Sequence, residues 1–223
     1  MRARILVTTA LVALGIGAPS SALALPDGGY IAIGFGAGIA SGDQGVPLKA
    51  TPGISVSASS SQYKELVRTD FGTGLATELR FGYLIQKLVA AELGVSGHGA
   101  TSFGDGAGFV SFALRYHFLQ HAIDLTDRAF DMDVYFGAGY AIGGYEPDLT
   151  GADSKGWEGW QWNVGIDFEY QVGENVGIAI DLKFVLPQYG EFIIDYDDDV
   201  RVDPSETPDT LVILPTVQLV FHL

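Results

Sequence analysis

Charged side chains recur at every second position through much of the chain, in phase with glycine and alanine rather than with the bulky apolar residues. Residues two apart in a β-strand point to the same side, so this alternation gathers the charges on one face of a sheet. If that face is enclosed, the charges either pair into an ion-bridged plug or line a polar path that favours cations. Acid–base catalysis by paired carboxylates is not expected, because the pattern offers no cleft for a substrate. The charges in this phase are Glu78, Arg80, Glu92, Arg115, Asp133, Asp167, Glu169, Asp181 and Lys183.

The sharpest local motif is an acidic segment near the C-terminus. Position 6 of a calcium-binding loop template requires glycine but is Val200 here, and Pro204 interrupts the segment. Two interpretations stay open: a weak Ca²⁺ or Mg²⁺ site, or a solvated acidic loop. The ligands of such a site would be Asp195, Asp197, Asp199 and Glu206, at template positions 1, 3, 5 and 12.

The clearest case of this alternation is a pair of segments from Trp160 to Leu186. Bulky apolar residues alternate with small or polar ones up to Val172, and the alternation resumes at Val176 after a tight turn. Period-two alternation of this length predicts a β-hairpin. About ten residues at ~3.3 Å each, tilted by ~40°, cover roughly 25 Å, the height of the apolar band of a membrane barrel.

The composition of the two faces predicts which one looks outward. Glycine, alanine and a few charges suit the cramped lumen of a small barrel, whereas a water-facing strand should carry more Lys, Glu and Thr. We therefore expect the bulky face to meet lipid; the alternative is a sandwich or a lipocalin-like barrel with that face inside. Aromatic residues of the outward phase that would form girdles are Trp160, Trp162, Tyr170, Tyr83, Tyr116 and Tyr140.

The same alternation predicts eight strands in all. They cover residues 31–39, 75–83, 89–96, 110–118, 133–142, 160–172, 176–186 and 211–223, with an irregularity at Pro215. The predicted fold class is all-β: an eight-stranded antiparallel transmembrane β-barrel with an up-and-down meander. Bacterial membrane barrels combine even strand numbers with short periplasmic turns and longer extracellular loops. Both termini would then be periplasmic, and the outer loops would be Ser41–Asp70, His98–Gly106, Gly143–Glu158 and Pro187–Asp209.

The N-terminus has the pattern of an export signal. Arg2 and Arg4 precede the apolar segment Ile5–Ile16, and Ala22-Leu23-Ala24 supplies a cleavage site, so residues 1–24 are predicted to be a signal peptide and 25–223 the barrel domain. A formal net charge of -15 argues against nucleic-acid binding through a basic patch. The lack of cysteine excludes disulfides and thiolate metal sites.

With these patterns the chain resembles the small outer-membrane β-barrel proteins of Gram-negative bacteria, of the OmpA-transmembrane-domain, OmpX and OmpW type. The last strand resembles the signal by which the barrel-assembly machinery recognises this family, with apolar residues at Val217, Leu219 and Phe221. That signal usually ends on an aromatic residue, whereas this chain ends on Leu223. The resemblance implies a monomer in the outer membrane, with periplasmic termini, surrounded by membrane lipids and lipopolysaccharide.

The function that the resemblance implies is non-enzymatic. We expect a structural or interactive protein with a plugged or very narrow lumen and acidic outer loops; the alternative is a small channel or an OmpW-like conduit for small or hydrophobic solutes. Some barrels of this size are enzymes that act on lipid A through Ser, His and an acid. None of the four histidines, His98, His117, His121 and His222, lies in an H-x-S pair on a lipid-facing strand.

Overall fold

The computed structural model describes residues 28–42, 73–100, 106–119, 130–145, 154–195, 200–202 and 210–223. These residues form nine strands: β1 (Gly28–Gly42), β2 (Thr73–Ile85), β3 (Val89–Ala100), β4 (Gly106–His117), β5 (Phe130–Tyr145), β6 (Ser154–Gly173), β7 (Val176–Asp195), β8 (Val200–Val202) and β9 (Thr210–His222). No helix within the described ranges is long and apolar enough to cross a membrane. The predicted signal peptide, residues 1–24, lies outside them.

Eight of the strands close into one antiparallel barrel. Each strand from β1 to β7 pairs with the next along the chain, and β9 joins β7 to β1. The short strand β8 pairs only with the end of β7, as a hairpin outside the ring. The structure therefore confirms the predicted eight-stranded meander.

The strands are staggered as they go round the barrel. Followed from strand to strand, the register that starts at Tyr30 passes Gly82 and Asn163 and returns to β1 at Ala40, ten residues further along. A stagger of this kind tilts the strands and fixes the radius of the barrel. At eight strands the interior is just wide enough to be filled by side chains.

Several strands continue beyond the predicted boundaries. β7 runs through Pro187 to Asp195, and β3 runs through His98 to Ala100, so the predicted loops that begin at Pro187 and His98 start later. The strands outlast their apolar alternation because a backbone ladder needs only a hydrogen-bonded neighbour, which β6 provides for β7. Likewise, β5 reaches Tyr145 and β6 begins at Ser154.

Pro215 interrupts the pairing of β9 with β1, which skips Ala37 and Gly38, but it causes no bulge. It keeps register with Leu182 of β7, and the pairing of β9 with β1 resumes at Ile39 in the register that it had at Gly36. The register shifts lie instead in the β6–β7 pair, between Glu158 and Gly159 and between Gln171 and Gly173. Proline removes one donor without displacing the strand.

The link between β2 and β3 is a tight turn built from unusual residues. Gln86 and Lys87 have φ angles of 53° and 55°, and the Leu88 amide donates to the Ile85 carbonyl at 3.1 Å. Two consecutive left-handed residues define a type I′ turn, which matches the twist of a hairpin. The turn holds β2 and β3 in register without the Asn-Gly pair that usually favours it.

The two faces of the barrel differ completely in character. Phe168 and Ile180 are 36% and 48% exposed on the outer surface, whereas their neighbours Asp167 and Asp181 are 2% and 0% exposed inside. All eight barrel strands contribute exposed aliphatic or aromatic residues to the outer surface. An apolar belt of this extent is typical of a barrel whose solvent is lipid.

Candidate functional site

The lumen is the place where the chain concentrates its polar chemistry. We call the end that holds the β2–β3 and β6–β7 turns the short-turn end, and the opposite end the loop end. The structure places all nine charges of the predicted network inside the barrel, each at most 9% exposed. Their positions on alternate strand residues explain why they share the interior.

Two arginines and one aspartate form the centre of the network. Arg80 Nη2 and Arg115 Nη1 both donate to Asp167 Oδ2, at 2.7 and 3.0 Å. Arg115 also donates to Asp133 Oδ1 at 2.6 Å and lies 3.1 Å from Glu92 Oε2. Since β2, β4 and β6 are not neighbours in the sheet, the two bonds to Asp167 cross the lumen, whereas Glu92 and Asp133 lie on the strands on either side of Arg115.

A second cluster crosses the lumen between β7 and β2. Lys183 Nζ donates to Glu78 Oε1 and lies 3.4 Å from Ser96 Oγ. Gln218 Nε2 donates to Glu78 Oε2 at 3.0 Å and to Asp181 Oδ2 at 3.3 Å. Gln218 Oε1 accepts from Arg80, so the glutamine joins the two clusters.

Two tyrosines extend the network toward the wall. Tyr30 donates to Glu92 at 2.8 Å, and Tyr135 donates to both oxygens of Asp181 at 2.9 and 3.0 Å. The Tyr135 ring also lies 4.4 Å below the Arg115 guanidinium carbon. A methyl group at Gly82 would overlap the Tyr30 ring, so the inward glycine there provides the space for an aromatic side chain.

The short-turn end carries two buried histidines on different parts of the wall. His222 Nε2 lies 2.8 Å from Glu169 Oε1, which also accepts from Gln171 at 2.6 Å. His117 Nδ1 lies 2.5 Å from Asp131 Oδ2. Between these groups and the arginines is a cavity of about 10 Å³, lined by Tyr30, Arg80, Leu84, Arg115, His117, Asp133, Asp167, Glu169, Val220 and His222. That volume suits one water molecule.

The loop half of the lumen is largely apolar. Trp157 and Tyr189 pack there with ring centroids 6.1 Å apart, and both are at most 1% exposed. Among the described side chains, no carboxylate, lysine or arginine points into this half. The side chains that fill it include Phe109, Ala141, Trp157, Val185, Pro187, Tyr189, Val212 and Leu214, with His98, Gln161, Asn163 and Thr210 as polar members.

The predicted girdle residues lie outside the barrel in two groups. Tyr83, Tyr116 and Tyr170 are near the short-turn end of their strands, and Tyr140, Trp160 and Trp162 are nearer the loop end. All six are at least 38% exposed, up to 71% at Trp160. On β6, the eight residues between Trp162 and Tyr170 correspond to ~20 Å across the barrel wall at this tilt.

The acidic calcium motif falls mostly outside the described residues. Asp197, Asp199 and Glu206 are not described, and Asp195 is described only by its backbone, at the end of β7. Val200, which replaces the template glycine, begins β8 and pairs with Ile194. The cation site stays a prediction.

Most of the lumen residues that the sequence patterns missed lie a few residues beyond the predicted strands. The inward and outward alternation, continued past those boundaries, would have found them. Asp131 lies two residues before Asp133 on the same face, just ahead of the predicted strand 133–142. Trp157 and Tyr189 fall in the predicted loops Gly143–Glu158 and Pro187–Asp209, and Phe109 precedes the predicted strand 110–118. No sequence signal indicated that Gln218 joins the two ion clusters.

The closed meander, the apolar belt and the packed polar interior together define a small eight-stranded outer-membrane-type β-barrel. One solved structure with this fold is Neisserial surface protein A, at 12% identity and a TM-score of 0.53, over 88% of this chain and 98% of that chain. Another is the outer membrane protein OprG from Pseudomonas aeruginosa, at 15% identity and a TM-score of 0.53, over 90% of this chain and 100% of that one. No protein-family model and no curated protein matches the sequence.

Proposed function

We propose that the chain is a monomeric outer-membrane protein of Gram-negative bacteria with a structural or interactive, non-enzymatic role. Its belt would contact membrane lipids and lipopolysaccharide, and the two aromatic groups would lie at the two membrane interfaces. The short-turn end would face the periplasm, with the loop end outside. Insertion would use the barrel-assembly machinery, which would read the apolar residues of β9.

The observation that carries this proposal is the ion network across the lumen. Asp167 binds arginines from two other strands, and Lys183 binds Glu78 from a strand on another side of the ring. A hydrated ion would have to break several charge-assisted hydrogen bonds to pass, and the cavity beside the two arginines holds only about one water molecule. The lumen is therefore expected to be plugged.

Recording from the refolded protein in planar lipid bilayers tests the plug. We expect no discrete conductance steps from the wild-type chain. The paired variant Arg80→Ala with Arg115→Ala removes the centre of the network and should produce them. Discrete steps from the wild type would overturn the plugged lumen, and heat-modifiable gel migration would confirm that both proteins are folded.

A conduit for small hydrophobic solutes is the second candidate, favoured by the apolar loop half of the lumen. The three tryptophans of the chain allow a test of the conduit, since Trp157 faces the lumen while Trp160 and Trp162 face outward. A variant that keeps only Trp157 should show saturable quenching by a small brominated alcohol if the lumen takes up apolar solutes. A variant that keeps only Trp162 is the control for partition into lipid, and equal, non-saturable quenching of both would reject the conduit.

The interactive role would depend on the acidic outer loops. The predicted loop Pro187–Asp209 has eight acidic residues and one arginine, so it would meet lipopolysaccharide phosphates only through bridging divalent ions. A Ca²⁺ or Mg²⁺ site at Asp195, Asp197, Asp199 and Glu206 would provide such a bridge. Protease resistance of this loop should increase at millimolar Ca²⁺, and an unchanged digestion pattern would reject the site.

A further inference from the structure

His117, Asp131 and Asp133 form a cluster at the short-turn end of the lumen, joined to the rest of the network through Arg115. Asp131 and Asp133 are two residues apart on β5 and point inward, and His117 of β4 is the register partner of Asp133. All three are at most 4% exposed. They are the one group among the described residues whose His, Asp or Glu ligand atoms, one from each of three side chains, lie within 4.8 Å of one another.

We propose that these three residues bind one divalent transition-metal ion, with Zn²⁺ the ion that the donors suit best. An imidazole nitrogen and two carboxylate oxygens are ligands typical of zinc, and imidazole disfavours Ca²⁺ and Mg²⁺, which prefer oxygen. The site joins β4 to β5 at the short-turn end, where the link between those strands begins. Its existence does not depend on whether the lumen conducts.

The distances between the ligand atoms lie on either side of the ligand–ligand distance expected around a zinc ion. His117 Nδ1 lies 2.5 Å from Asp131 Oδ2 and 3.9 Å from Asp133 Oδ2. Two ligands of a tetrahedral zinc ion, at bonds of ~2.0–2.1 Å, are ~3.3 Å apart. One separation must therefore widen and the other contract by less than 1 Å, which a small rotation of the imidazole toward Asp133 provides.

Two further observations point to a ligand at this position. Asp131 Oδ1 is buried and has no hydrogen-bond partner in the described part of the protein, so a carboxylate oxygen is left available. Asp133 is oriented through its other oxygen, Oδ1, by Arg115 at 2.6 Å, as outer partners orient metal-binding carboxylates. The cavity of about 10 Å³ borders His117 and Asp133 and can hold a water that completes the coordination.

The charge of the lumen supports a cation at the same place. The described interior buries seven carboxylates, including Asp131, but only three Lys or Arg side chains. Buried charges without partners are costly, so positive charge must come from protons or ions. A divalent ion at His117 supplies two charges beside the two aspartates that Arg115 alone cannot neutralise. Arg115 also repels that ion, so binding should be weaker than at an all-cysteine zinc site.

Cobalt titration of the refolded, tag-free chain in detergent micelles tests the site directly. After treatment with EDTA, we expect one Co²⁺ per chain to give a visible absorption spectrum of low-coordinate nitrogen and oxygen ligation, and Zn²⁺ to displace it. His117→Gln should weaken binding by more than the ~10–100-fold that changes in outer-shell partners cost. Asp131→Asn provides a second variant should the first fail to fold.

The controls separate this site from other carboxylates. His222→Gln removes the other short-turn histidine, which has Glu169 as its partner, and should bind Co²⁺ as the wild type does. The double variant Asp197→Asn with Asp199→Asn should also leave the Co²⁺ spectrum unchanged. Failure of the predicted calcium loop can then be told apart from failure of this site. No spectrum in the folded wild type, equal binding by His117→Gln, or an ion removed by millimolar Mg²⁺ would overturn the proposal. The first result would mean that the cluster binds no metal, and the other two would mean that the ion binds other oxygen ligands of the chain.

Discussion

Along β6, the inward side chains change character between Asp167 and Trp157. Asp167 lies among arginines and carboxylates that reach it from other strands, whereas Trp157 lies against Tyr189 in an interior that contains no described Asp, Glu, Lys or Arg. The two halves are both filled, but by different means. In the charged half, the choice of residues depends on which charges meet, because each buried ion needs a counter-ion. In the largely apolar half, it depends mainly on side-chain volume, because the residues there must fill the space without voids.

The largest expected effect is the removal of a cation from the charged half. Arg115→Met keeps much of the side-chain length but leaves Asp133, Glu92 and Asp167 short of a partner, and should cost about 3–5 kcal/mol of unfolding free energy. Urea unfolding in phospholipid vesicles, followed by tryptophan fluorescence, measures it. Arg115→Lys should lose less, because it keeps the charge but not the planar fork. An unchanged midpoint for Arg115→Met would mean that water already solvates these carboxylates.

A smaller effect is expected from a cavity in the apolar half. Leu214 is 1% exposed, so Leu214→Ala should cost about 2–4 kcal/mol through lost contacts and residual cavity volume. Ile213→Ala is the matched control, since Ile213 precedes Leu214 on the same strand but lies on the outer face, where lipid can refill the space. The same urea titration applies. Equal losses at the two positions would mean that the loop half is not packed as a core.

The smallest effect tests how tightly the charged half is filled. Gly82→Ala places a methyl group against the Tyr30 ring and should cost about 1–3 kcal/mol through overpacking. The matched control is Gly108→Ala, where an added Cβ meets no other atom within 4 Å and should be nearly neutral. If Gly82→Ala proved as stable as the wild type, the Tyr30 side chain must be able to move at no cost in stability. Its hydrogen bond to Glu92 would then not be a fixed part of the network.

Much of the fold was predictable from the sequence because its signal is local. Alternation from Trp160 to Leu186 required only neighbouring residues, and it gave the hairpin, its turn and the inward direction of Asp167 and Lys183. The ends of strands were less predictable. At Pro187 and Trp157 the alternation had faded, but the backbone ladder to the neighbouring strand continued.

The partners within the lumen were not predictable in the same way. Nothing in the sequence relates Arg80 to Asp167, which are 87 residues apart, or Gln218 to Glu78, which are 140 apart. These contacts depend on the stagger that brings β1 back to itself ten residues higher, since a different stagger would face each charge with another neighbour. The cluster of His117 with Asp131 and Asp133 likewise required the β4–β5 register.

The sequence by itself determined the number of barrel strands, the class of barrel and the side of the wall on which each residue of the predicted strands lies, because side-chain direction in a strand follows from parity alone. Only the tertiary structure decided which charges pair, where the interior turns apolar and which histidine meets two carboxylates. Those features arise when strands far apart in the chain close into a ring, and the distances across that ring are set by its radius and tilt rather than by any local pattern.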